Sequence, residues 1–514
     1  MRENKDLLTM WTCRCIVSFK KSQKNGRKGE DVHITEHYNM DCTQAAVDFV
    51  DVDITTDNAV FIDPRAIRLQ RGLLQDECAG YLVSFFSEIL DAIHDNRPDH
   101  IRELMRMLGE PNETHLGYSR GKPQGRGLAG KRATEFADAI SGSKAAKTGL
   151  LQDLEDTALF VPKVGSDLMS DMATQILRGP LIRYTQLTCE YHGIDMEEQY
   201  SGPIWNSDSL EWDEMQVDLP RTPQGTLILI PKPIVRHSPI LDSGKYFSGY
   251  IAPFLEGEEL ERGSDLVKLL RNGRRYVTKK DLAEKYGDDK PAVVNQTLRL
   301  DKKPLERYRQ VAGTITSSPL VNEDLAETLG SEQVDFIGAY EKVIAVSPGM
   351  AGAHYYHHAV EELLTAIFYP SLGNRHIEKE INKGRKRIDI VYDNVATTGF
   401  FDWAGRHYNC PTVPVECKNY QHDINNPELD QMIGRFSNDR GRLGLIVCRS
   451  FADKRLFIER CRDTSKDGHG FIIPLDDADL KKLAEKAAEL QFEVRKQKRF
   501  EFSLMRERFD QLIA

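Results

Sequence analysis

Apolar residues recur along this chain at two periods, and the change from one to the other divides it. Between residues 73 and 107 the period is helical. Leu82, Phe85, Phe86, Ile89, Leu90 and Ile93 share one broad stripe, which Pro98 interrupts. The same spacing returns from Tyr355 to Phe368, where Val360, Leu363, Leu364, Ile367 and Phe368 fall on one face. Strand patterns are shorter. Residues 11–19, Ala59–Pro64 and Thr226–Pro231 are runs of strand length, the last two closed by proline. After residue 386 strands dominate. Ile388, Ile390 and Tyr392 alternate with Asp389 and Val391, and Val413 and Val415 alternate with Pro414 and Glu416. Leu443–Cys448 and Phe471–Ile473 are continuous apolar runs, suited to buried strands.

Weaker signals fill the gaps. Ser166 suits a helix cap, with Asp167 in the first turn and Asp171 one turn on. Residues 256–310 are charged and mostly helical. Val277–Gly287 with Ala292–Leu298 faintly resembles a helix-turn-helix, although a plain helical spacer accounts for the same pattern. Gly313, Ser317-Ser318-Pro319 and Ser347-Pro348-Gly349 make 311–350 read as a connection. Asn426-Pro427-Glu428 predicts a helix start capped by Asn426, on a helix carrying Gln431 and Arg435 one turn apart. A long helix from Asp479 to at least Leu490 ends the pattern. With 514 residues, two or three domains are expected. The reading is a mixed α/β sensing or regulatory module over 1–255, a helical spacer over 256–344, a compact core over 345–485 and a terminal helix over 486–514.

Chemistry enters at Val413–Lys418. Glu416 and Lys418 are two apart on a strand, so they point to one face. An acid and a lysine on an otherwise apolar strand are costly to bury. They could form a simple salt bridge on an edge strand, and Asp389 could pair with Arg385 or Arg387. The chemistry that calls for all three is metal-assisted phosphodiester hydrolysis. Asp389 and Glu416 would hold a hard divalent cation, and Lys418 would sit beside the metal-bound water.

Asp389, Glu416-Cys417-Lys418 and their flanking strands resemble the PD-(D/E)xK nuclease superfamily, which includes restriction enzymes, resolvases and repair exonucleases. Ile388 stands where the family name has proline. The resemblance covers roughly residues 345–485. It implies an α/β fold with a C-terminal restriction-endonuclease-like core, a mixed sheet flanked by helices, behind a helix-rich N-terminal module. The two catalytic strands would be joined by a long loop containing Gly399, Gly405 and Asn409. The resemblance also implies Mg²⁺, with Mn²⁺ as a substitute, on Asp389, Glu416 and the Cys417 carbonyl. Asp389, Glu416 and Lys418 would be catalytic. Glu361, with Glu362 as the fallback, would face them from the preceding helix. Gln431 would approach from the following one, as a glutamine does in the restriction-enzyme and RecB-like branches. Arg385, Lys386, Arg387 and Arg435 suit contact with nucleic-acid phosphates.

The net charge of −10 argues against a protein that coats nucleic acid. From residue 351 onward acids and bases nearly balance, so the acidic excess lies earlier. Gly125, Gly127 and Gly130, followed by Lys131, spell a phosphate-loop pattern, but no strand precedes it. A flexible basic loop is the expectation there. Residues 1–25 lack the apolar core of a leader, no apolar run reaches membrane-spanning length, and Cys13-x-Cys15 has no second pair at zinc-finger spacing. The expectation is a reduced, cytoplasmic protein that binds no membrane. Its function would be that of a metal-dependent endonuclease, with DNA as the first expectation and RNA as the alternative, in restriction or phage defence. A repair or recombination nuclease and a catalytically idle DNA-binding fold are the alternatives. Self-association or a defence-system partner protein fits either.

Overall fold

The computed structural model describes residues 32–40, 42–109, 111–117, 131–147, 151–161, 164–238, 240–287, 290–297, 303–316, 318–376, 390–493 and 500–514. The expected strand at 11–19, Cys13 and Cys15, and most of the glycine-rich loop lie outside them. The architecture is mixed α/β, with two clusters of buried apolar side chains. One is built from Ile34 to Leu329 together with Tyr369, and the other mainly from Phe336 onward.

The first half is helical. The 73–107 pattern forms α1 (Leu73–His94) and α2 (Pro98–Arg106), broken before Pro98 as its missing N–H requires. Next come α3 (Ser166–Ile176) and α4 (Arg178–His192). Gly165, not Ser166, holds the cap position of α3. The expected strand at 59–64 is two residues long. Phe61 and Ile62 pair antiparallel with Arg236 and Val235, and Asp63 then caps a short helix by accepting from the Arg65 and Ala66 N–H groups. Thr226–Pro231 is not a strand. Only Gly225–Thr226 joins a ladder, while Leu227 N–H bonds to Pro220 O and Ile228 N–H to Glu113 O. The apolar residues of the run are buried, but burial does not dictate a ladder.

The expected connection at 311–350 is mostly helix, with elements at Lys303–Thr316, Asn322–Leu329 and α5 (Phe336–Ala345). Phe336 and Val343 of α5 are buried in the second cluster. The core therefore draws on chain before residue 345.

The second half is organised on one sheet. α6 (Ala353–Phe368) leads into β1 (Leu372–His376) and β2 (Ile390–Asn394). The expected long loop after β2 folds into α7 (Gly399–His407). Then follow β3 (Thr412–Lys418), α8 (Asn426–Ile433), β4 (Leu443–Cys448), α9 (Lys454–Lys466), β5 (Phe471–Asp476), α10 (Asp477–Leu490) and α11 (Ser503–Ile513). The terminal helix expected as one piece is thus two. The strand order is β1-β2-β3-β4-β5. The first two pairings are antiparallel and the last two parallel. Pro414 sits inside β3, a position a central strand seldom tolerates. It does so here because the parallel ladder to β4 begins only at Val415. Val413, Val415, Leu445 and Ile473 are fully buried, each contributing about 1.5–3 kcal/mol on burial. Among the described residues no helix is long and apolar enough to cross a membrane.

Candidate active site

Register fixes the faces of the sheet. Ile390 pairs with Val415 and Tyr392 with Val413, so these four side chains share one face. The Tyr392 hydroxyl lies 2.8 Å from Thr365 Oγ1 of α6, so α6 covers that rear face. Alternation sends Glu416 and Lys418 to the front. Cys417 falls between them, half-buried and packed against the second core.

On the front, Glu416 and Lys418 are almost fully withdrawn from water, with side chains 2% and 10% exposed. Lys418 Nζ donates to Glu416 Oε1 at 2.6 Å and to Gln431 Oε1 at 3.1 Å. Gln431 Nε2 donates to the same Glu416 oxygen at 2.6 Å. The three groups close a ring. Arg435 lies 3.6 Å from Glu416 Oε2. Arg435 is not on α8 as expected but just past its end, where its N–H reaches back to Met432 O. The cap of α8 is Asn425, one residue earlier than expected, in a reciprocal box with Glu428. That start positions Gln431 over the end of β3.

Asp389, Arg385, Lys386 and Arg387 lie outside the described residues. Among the described residues no group of three His, Cys, Asp or Glu side chains could hold a metal ion. Glu416 is the carboxylate that β3 contributes at this point.

Glu361 was expected to face this ring, but the structure takes its carboxylate elsewhere. It is buried on α6, behind the sheet. Its Oε1 pairs with Arg375 of β1, and its Oε2 accepts from the Tyr191 hydroxyl of α4. His358 Nδ1 is 3.7 Å away, and 3.1 Å from that same hydroxyl. Arg375 stacks on the Tyr191 ring at 4.1 Å, donates to His192 Nε2 at 3.1 Å and lies 3.8 Å from Asp48. Burial alone would lower Arg375, but Glu361 and Asp48 hold its pKa above the ordinary value. Burial and then Arg375 push His192 down to about 4. Lys232 is fully buried nearby and lowered by that burial to about 7. It donates to Gln44 O at 3.1 Å and lies over the Tyr369 ring. Glu362, the fallback, pairs with Lys342 at 3.4 Å instead.

The sequence reading missed Arg375, Tyr191, Asp48 and Lys232. They are far apart in the chain, and no local spacing links them. It also passed over Tyr420 and His422, although the alternation of Lys418, Tyr420 and His422 was visible.

Residues 39–242 match the sequence profile of DUF8370, a domain of unknown function. No match is found among curated proteins or solved structures. The matched region supplies Asp48, Tyr191, His192 and Lys232 to the rear cluster, and none of the front ring.

Proposed function

We propose that this chain is a metal-dependent nuclease of the PD-(D/E)xK type with a restriction-endonuclease-like core, acting on DNA in restriction or phage defence. The supporting observation is the buried ring of Glu416, Lys418 and Gln431 at the end of β3. As a fold-stabilising device such a ring is poor, because desolvating two charges consumes most of what their attraction returns. As a device for phosphoryl chemistry it has a purpose. A second support is chain adjacency: Ile390 and Val415 are register partners, and the residues bonded to them are Asp389 and Glu416.

The donor set is oxygen-only, since the Cys417 side chain belongs to the other face. That suits Mg²⁺ or Mn²⁺ held by Asp389, Glu416 and the Cys417 carbonyl. Such an ion, when bound, polarises the phosphate and acidifies a water molecule. Lys418 places its ammonium where negative charge develops on the attacking oxygen. Gln431 orients the pair by accepting from Lys418 and donating to Glu416. Arg435, expected to contact phosphate, is instead buried beside Glu416 and balances that carboxylate. The region before residue 256 selects the target or restrains the cut, and its shared charges with α6 and β1 give it a physical hold on the sheet.

A cleavage panel tests this: plasmid, single-stranded DNA and RNA, each with Mg²⁺, Mn²⁺ or EDTA. Cleavage in both metals and none in EDTA is expected. Cleavage that persists in EDTA, or that Lys418→Ala leaves at the wild-type rate, would overturn the reading.

A further inference from the structure

β3 ends at Lys418, and the stretch leaving it bends at Gln421 and His422. Asn419, Gln421 and Asp423 tie the backbone down. Asn419 Nδ2 donates to Ser347 O at 3.0 Å and Gly349 O at 2.9 Å, and the Gly349 N–H returns to Asn419 O at 2.7 Å. Gln421 Nε2 donates to Pro348 O at 3.1 Å, and Asp423 Oδ1 accepts from the Ala452 N–H at 3.1 Å. Lys418, Tyr420 and His422, alternate in the sequence, lie against one another. Lys418 Nζ lies 5.9 Å from the centroid of the Tyr420 ring. The Tyr420 and His422 rings stack, with centroids 4.7 Å apart and planes within 11°. Tyr420 is half-buried and His422 is exposed. The three form a column that begins at the buried ring of the candidate site and ends on an aromatic face open to solvent.

We propose that His422 and Tyr420 are a stacking platform for one nucleobase of the substrate, beside the phosphate that Lys418 addresses. This rests on the nuclease reading. A base inside a duplex has both faces covered by its neighbours, so a platform of this kind takes a base that is already unpaired. The substrate class is therefore a strand with an unpaired nucleotide next to the scissile phosphate. Stacking is blind to base identity, because every base offers a flat face. The platform selects for strand state and not for sequence. Its backbone is fixed in advance at residues 419, 421 and 423, so little ordering is left for binding to accomplish.

The test uses the full chain in EDTA, where nothing is cut, and a short labelled single-stranded oligonucleotide of mixed sequence. His422 is exposed, so His422→Ala should fold. It should weaken Kd roughly tenfold, and His422→Phe, which keeps a flat ring, should restore it. An abasic position moved along the oligonucleotide should reproduce the loss at one place in the wild type and cost nothing further there in His422→Ala. The fully paired duplex should bind more weakly and be indifferent to the substitution. A His422→Ala protein that binds single strand like wild type, or a duplex that shows the same loss, overturns the platform. Cleavage assays on Lys418→Ala separate the two ideas. Lost cleavage beside an unmoved His422→Ala Kd removes the platform alone, whereas retained cleavage removes the nuclease reading and the platform with it.

Discussion

The front of the sheet carries Glu416, Lys418, Gln431 and Arg435, drawn from one strand, the helix after it and the residues just past that helix. The rear carries Glu361 and Arg375, but closes only with Tyr191, His192 and Asp48 from far earlier in the chain. Both clusters bury charge on the same five strands. They differ in what they ask of the molecule. The hydrogen bonds that close the front ring run within one strand and the helix after it, whereas the rear cluster is correct only when two halves of the chain have met. Buried ion pairs add little net stability, and their best-attested use is to specify which surfaces join. Under the proposed function the front serves chemistry, and the rear is expected to serve registry.

The contrast can be broken by substitution, and Arg375→Met should have the largest effect. It leaves Glu361 buried without its countercharge and should cost about 3–5 kcal/mol in chemical denaturation. A loss below about 1 kcal/mol would mean the rear cluster holds nothing together. Lys418→Ala comes next, measured as cleavage. A positioned charge of this kind is worth about 10²-fold or more. Lys418→Arg should be nearly as inactive, since a guanidinium does not reproduce a compact ammonium. Stability should fall less than in Arg375→Met, and the reverse order would exchange the roles assigned to the two faces. Third, Glu361→Leu combined with Arg375→Met should recover most of the loss, because it removes the charge left stranded. A double-mutant cycle reads that coupling, and additive losses would deny it.

Acid sharpens the comparison more gently. In the folded chain His192 takes up a proton only near pH 4, whereas an unfolded histidine does so near 6.5. Between these values the unfolded state binds more protons. Stability is therefore full above about pH 6.5 and falls as pH drops toward 4. Arg375 and His358 oppose the proton and Asp48 favours it. His192→Gln should flatten the slope by roughly 1–2 kcal/mol across that window, and an unchanged slope would place the titration elsewhere. The smallest effect is on the front. Mg²⁺ at millimolar levels should raise the melting temperature by a few degrees, about 1 kcal/mol of binding linkage. Glu416→Gln should abolish that rise.

Strands β2 to β5 were legible because each is a short, largely buried apolar run, and composition alone marks such runs; β1 was not, since Leu372 is followed by Gly373, Asn374, Arg375 and His376. Glu416, Lys418 and Gln431 were legible because their spacing is local. Three readings failed for one shared reason. Gly399 to Asn409, residues 311–350 and Thr226–Pro231 were judged by their turn-forming or apolar residues, and long-range packing decided otherwise. Gly313 even lies inside a helix. Glu361 shows the deeper limit. Its place on α6 was read correctly, but the side a carboxylate serves depends on partners such as Tyr191, which local sequence does not reveal.

The rear cluster also imposes an order of events during synthesis. Asp48, Tyr191, His192 and Lys232 leave the ribosome well before Glu361 and Arg375. At typical elongation rates the gap between residues 232 and 375 is roughly 10–30 s. Throughout that interval the leading half of the chain carries an acid, a lysine and an aromatic wall shaped for an arginine not yet made. It must wait with that surface wet or shielded by a chaperone. The nascent protein is therefore expected to pass from protease-sensitive to resistant in one late step, when β1 emerges and the guanidinium of Arg375 slides under Tyr191.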